Sequence, residues 1–220
     1  MYEFYRNSIL GFPIFGIEYY FFKTLTGHEI SQSKLGFTHA LYMSIITLMH
    51  KGSFLNDQSF YNLLGVSFGY VIFDTYLYYK TIRESNKDRA LNIQMGFHHL
   101  GMCLSYMYPL LNYYSIADLP NFYVPVLSSI YLSEISVLPF NICYILIKEK
   151  KTNTALFKYS SICTLISYFL FRVVNFSYIN YFLYRKNNYS YVLFTPFVFL
   201  NYYWYYKIVK KAINVEKKIN

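Results

Sequence analysis

Apolar residues along this chain come in runs of about 16 to 29, separated by short charged or turn-rich breaks, a length that suits helices crossing a bilayer. Cutting at the breaks predicts seven spans: Ile9 to Leu25, Leu35 to His50, Phe60 to Tyr79, Ala90 to Tyr114, Phe122 to Ile147, Leu156 to Tyr184 and Tyr189 to Tyr206. The first carries Glu18 and Lys23 and the second is short, so six to seven transmembrane helices are expected, with either of these two tilted or partly interfacial. Glu3, Arg6 and Glu18 bracket aromatic residues at the N-terminus, a pattern unlike a cleaved signal peptide.

Composition supports the same class. Of 220 residues, 55% are hydrophobic and 14% charged, too apolar for a soluble domain of this size, and little chain is left for a separate soluble enzyme domain. The expected fold is all-α: a multi-pass membrane protein. A net charge of +9 would suggest nucleic acid in a soluble protein; here the basic residues lie between and after the apolar runs, and no nucleic acid partner is expected. The abundance of Tyr and Phe reads as codon bias and carries no argument. Cys103, Cys143 and Cys163 fall inside apolar segments without metal-ligand spacing, so neither disulfides nor a metal site is expected.

Lysine and arginine fix the expected orientation. Seven spans place Lys34, the Lys80 to Arg89 stretch, the Lys148 to Lys158 stretch and the Lys207 to Lys218 tail on one side, the cytosolic one, with Arg6, Lys51, Arg185 and Lys186 opposite. The tail, residues 211–220, ends in KKIN, and Lys217 with Lys218 matches a dilysine retrieval signal read by a retrieval coat. Residence in the endoplasmic reticulum with a cytosolic C-terminus is the expectation.

Polar residues inside the spans mark candidate sites, because ionisable groups in hydrocarbon are costly and usually face an interior. A rise of about 1.5 Å per residue from the cytosolic end of each span puts Glu18, His39, Asp74, His98 and His99 at roughly 8 to 14 Å depth, and Glu134 and Arg172 at roughly 20 to 24 Å, close enough to pair. On the fourth span Gln94, His98 and Ser105 stack beside a column of Asn92, His99 and Tyr106. On the fifth, Ser133, Glu134, Ser136 and Asn141 surround Pro139, which frees the Ile135 carbonyl; on the sixth, Thr164, Tyr168, Arg172 and Asn175 share a face. Such groups serve as interhelical adhesive in many membrane helices. Alternatively, an imidazole oriented by Asp74 acts as general base or nucleophile toward a lipid headgroup or acyl donor.

The order of these pieces resembles the TLC-domain family. The resemblance runs over residues 35–210, after an N-terminal segment of residues 1–34. It rests on Phe37-Thr38-His39-Ala40, Gly69-Tyr70 with Asp74, His98-His99, Ser133-Glu134-Ile135-Ser136 with Pro139-Phe140-Asn141, Phe171-Arg172, and Leu200-Asn201-Tyr202-Tyr203-Trp204 before Lys207. The family includes ceramide synthases, the translocating-chain-associating protein, a ceroid-lipofuscinosis protein of the endoplasmic reticulum and proteins tied to lipid homeostasis. The resemblance implies a helical bundle around a lipid-accessible cavity whose polar groups are His39, Asp74, His98, His99, Ser133, Glu134, Asn141, Arg172 and Asn201, with no cofactor and a membrane lipid, sphingolipid or fatty acyl, as partner. The ceramide synthase branch would make His98, His99 and Asp74 catalytic in acyl transfer from acyl-CoA to a sphingoid base. This chain departs from that branch at Met102, at Ser133-Glu134 and at Val137, where the branch has Thr, His-Asp and a second Asp. It follows instead the branch associated with lipid balance. The leading expectation is therefore a protein that binds, senses or moves a lipid. Acyl transfer, and a cargo or trafficking adaptor suggested by KKIN, are the alternatives.

Overall fold

The computed structural model describes residues 2–84, 96, 98–103, 106, 121–186 and 188–219, with the backbone alone for residues 28, 29, 81–84 and 214–219. The described residues are helical, joined by short turns, with no strand among them. Helix α1 covers Tyr2–Thr26, α2 His28–Lys51 and α3 Asp57–Glu84. A longer rod, α4, covers Tyr123–Lys148, α5 covers Ala155–Arg185, and α6 covers Ser190–Ile219. Most of the span from Ala90 to Tyr114 lies outside the described residues, including Asn92, Gln94 and Ser105; residues 98–103 are helical and carry the histidine pair.

Helices α1, α2, α3 and α5 contain their expected spans and overrun them, and α4 and α6 begin one residue inside theirs, at Tyr123 and Ser190, and run on past the far end, because hydropathy marks the apolar middle while backbone hydrogen bonding continues into the polar ends. The helices α4 and α5 are long and apolar enough to cross a membrane, and only 33% of each apolar window is buried. That exposure separates them from the core helices of soluble proteins, whose apolar residues are inside.

The chain groups into two compact units, Met1–Ser31 with Ile45–Ser128 and Gln32–Ser44 with Ser129–Asn220. In the first, α1 and α3 approach backbone to backbone. A Cβ at Gly11 would lie 2.6 Å from the Val66 carbonyl oxygen and one at Gly69 2.6 Å from that of Ser8, while Gly65 faces the Phe4 carbonyl. Gly65 and Gly69, four apart on one face of α3, supply the small-residue spacing that lets helix backbones meet without side chains between them. Phe4 stacks on Tyr61 at a centroid distance of 4.9 Å, and the Tyr106 and Ser67 hydroxyls lie 2.6 Å apart beside them.

In the second unit two rods depart from α geometry where their polar residues sit. In α4 the stretch Leu132–Ser136 is a 3-10 turn before α-helix resumes at Val137. Pro139, three residues into the resumed helix, cannot donate to Ile135 and its ring crowds that carbonyl, so the turn tightens upstream of it. In α5 the stretch Phe169–Val174 is a π segment, in which the Asn175 N–H reaches back five residues to Leu170. The Asn175 side-chain amide donates to the Phe171 carbonyl within the widened turn at 3.3 Å and across to the Ser129 carbonyl of α4 at 2.7 Å.

Helix α4 ends in a Schellman turn. The Lys151 N–H returns to Leu146 and that of Lys150 to Ile147, which puts Lys150 at φ 58°. Glycine is the usual residue at such a position, and a side chain there costs about 1 kcal/mol.

Candidate functional site in the helix interior

Two polar clusters emerge, one in each unit. In the second unit Glu134 lies between His39 and Arg172. Its carboxylate is 3.6 Å from the Arg172 guanidinium and 4.0 Å from His39 Nδ1. All three are buried. Arg172 Nε donates to Ser136 Oγ at 3.0 Å, Ser136 donates to the Ser133 carbonyl at 2.6 Å, and the guanidinium lies 5.4 Å over the Tyr168 ring. Tyr168 donates to Asn201 Oδ1 at 3.3 Å, and Asn201 Nδ2 donates to the Phe197 carbonyl at 2.8 Å. A continuous polar track thus joins α2, α4, α5 and α6. Opposite charges at its centre offset one another's desolvation, and the hydroxyl and ring partners spread the remaining cost.

In the first unit His99 Nε2 lies 3.1 Å from Asp74 Oδ2. With that nitrogen donating to the carboxylate, Nδ1 carries the lone pair; it is buried and has no hydrogen-bond partner among the described residues. Tyr78 packs edge-on against the His99 ring at 5.7 Å, and His98 lies 5.9 Å away and half-buried. A second histidine and aspartate pair, His50 Nε2 and Asp57 Oδ1 at 2.8 Å, closes the turn between α2 and α3, with His50 stacked on Phe60.

The nine polar positions singled out in the sequence therefore separate. Asp74, His98 and His99 come together in one unit; His39, Ser133, Glu134, Arg172 and Asn201 belong to the other, as does Asn141, also buried. Lys217 and Lys218 fall in the last turn of α6, and their side chains lie outside the described residues. Rise counted from Leu35 predicts a shallower layer for His39 than for Glu134, whereas the two lie 4.0 Å apart. Helix α2 begins seven residues before Leu35, at His28, which adds about 10 Å of rise.

His50 lies outside the polar positions that the sequence marks. Tyr168 is marked by its place four residues before Arg172 on one helical face. Ser136 is marked as polar, but its contact with Arg172 is not: in a regular α-helix a residue two places on lies about 160° from Glu134, and the 3-10 turn brings it to about 120°. No group of three His, Cys, Asp or Glu able to hold a metal occurs among the described residues. No family model, curated protein or solved structure matches the chain.

Proposed function

We propose that the chain is a multi-pass membrane protein of the endoplasmic reticulum, similar to the lipid-balance branch of the TLC-domain proteins, that binds, senses or moves a lipid by way of its polar interior. The observation that carries this reading is the inverted surface of α5. Over its first eighteen residues the buried positions are Ser160, Thr164, Tyr168 and Arg172, while Leu156, Ile162, Ile166 and Leu170 are exposed; beyond Arg172 the buried positions turn apolar, with Val173, Phe176, Ile179 and Leu183. In water such a helix would show its apolar face to solvent; in lipid the same arrangement is favourable. A charged pair within the apolar rods then offers a lipid headgroup its polar partners, while acyl chains meet the apolar helix surfaces.

Native mass spectrometry of the chain, extracted in mild detergent, tests this. The wild type should retain a lipid through detergent exchange. Glu134→Gln combined with Arg172→Gln, which removes both charges and leaves two polar amides in their place, should lose it several-fold. A chain that carries no lipid, or a folded double variant that carries as much as the wild type, contradicts the reading.

His99 and Asp74 favour a second reading, acyl transfer. His99 Nδ1 would take the proton from a sphingoid amine as the amine nitrogen attacks the acyl-CoA thioester; the carbon–sulfur bond breaks and the proton passes to the departing thiolate. Product formed by purified protein and lost in both His99→Ala and Asp74→Asn would put this reading first. Absence of product would remove it.

A further inference from the structure

One end of the second unit is crowded with lysine. The turn between α4 and α5 holds Lys148, Lys150 and Lys151, all exposed, with Lys158 exposed one turn into α5. Helix α6 returns to this end: Tyr205 packs on Tyr168 and Phe169 with centroids 6.2 and 5.5 Å apart, and continuing that antiparallel register carries Lys210 and Lys211 past Cys163 and Ile162, toward the end that holds Lys158. Acid is scarce here. Glu149 is hydrogen-bonded to Lys151 at 2.7 Å, and that bond, then the charges of Lys151 and Lys34, holds its carboxyl below the ordinary range.

The lysines are also set at a level that suits a bilayer surface. Lys148 lies 5.4 Å over the Tyr144 ring, Lys207 5.2 Å over Tyr203 and Lys210 5.9 Å over Tyr206, each reaching one turn back along its helix. Ammonium groups therefore gather at the level of a tyrosine belt, the pairing found where helices leave the hydrocarbon for the headgroups. Lysine, a compact point charge, suits mobile phosphates, whereas a fixed bidentate partner would call for arginine. Thr154 Oγ1 accepts from the Phe157 N–H and caps the start of α5, leaving the amines as the principal donors. Lys150 holds a long cationic side chain at φ 58°, where glycine would relieve the backbone, so Lys150→Gly removes the charge without adding strain.

We propose that this lysine end docks on the phosphates of anionic phospholipids in the leaflet it faces, with Lys150 and Lys151 at the centre of the contact. The proposal rests on the membrane reading above. It goes beyond orientation during insertion, for which lysines need only be present and need no lasting partner.

The test uses the full chain in nanodiscs of phosphatidylcholine alone or with phosphatidylserine added, reading lysine acylation by mass spectrometry. Phosphatidylserine should protect Lys150, Lys151 and Lys158 several-fold more than Lys186 at the far end of α5. Inorganic phosphate added to phosphatidylcholine discs should not reproduce this. Lys150→Gly should unfold at the same or a higher temperature in phosphatidylcholine, yet lose about fivefold of the preference for phosphatidylserine. Equal reactivity in the two discs, protection by inorganic phosphate, or an unchanged preference in Lys150→Gly overturns the docking proposal while leaving the membrane reading intact. A chain that fails to enter nanodiscs overturns both.

Discussion

Arg172 is buried with one carboxylate, one hydroxyl and one aromatic ring as its partners, so its energetic weight lies in what its removal strands. Arg172→Gln leaves Glu134 without a cation and should cost about 3 kcal/mol, and Glu134→Gln should cost a comparable amount. The double change should recover part of the loss, because two amides can hydrogen-bond where two lone charges cannot. Denaturant or thermal unfolding in detergent measures all three, and additive losses would mean that the groups do not interact. At His99 the oriented imidazole makes a different demand. If the pair with Asp74 is adhesive, His99→Ala should lower stability by up to about 2 kcal/mol and reduce abundance in step with any lipid phenotype. If it works on a lipid, the phenotype should vanish while stability holds. Which residues carry polar chemistry was legible from their cost in an apolar segment, Glu134 and Arg172 above all. Their pairing with each other, and that of Asp74 with an imidazole, was legible too; the contact of His39 with Glu134 was not, because α2 starts earlier than its apolar run.

Helices were the most legible feature, because apolar length and charged breaks are direct consequences of the sequence. Their distortions were not. Pro139 signals a disturbance in α4, but the length of the 3-10 turn depends on the packing it must satisfy, and no residue in Phe169–Val174 announces a π segment. The joint between α1 and α3 gives the sharpest prediction at this scale. Gly69→Val would drive a branched side chain into the backbone of α1, where even a Cβ lies 2.6 Å from the Ser8 carbonyl oxygen. It should destabilise the first unit by about 1 to 3 kcal/mol and increase proteolysis between α1 and α3. Gly16→Ala, where an added Cβ would meet only the Phe73 ring at 3.5 Å, should change little and serves as the control. Equal effects of the two substitutions would show that close backbone packing is not what Gly69 provides.

For the whole molecule, the lysine distribution predicts a cytosolic C-terminus: a tag after Asn220 and one near Asn86 should both be digested in intact microsomes, and protection of either contradicts the arrangement. The central claim is that the apolar outer faces meet lipid while the charged groups lie inside. Spin labels placed singly at Ile162, Ile166 and Leu170 of α5 in reconstituted vesicles test it most directly, through the relative access of oxygen, which concentrates in hydrocarbon, and of a water-soluble nickel chelate. All three exposed positions should relax strongly with oxygen and weakly with the chelate. A label at Lys151 should show the reverse. Chelate access at Ile162, Ile166 and Leu170 equal to that at Lys151 would place this face in water and contradict the account.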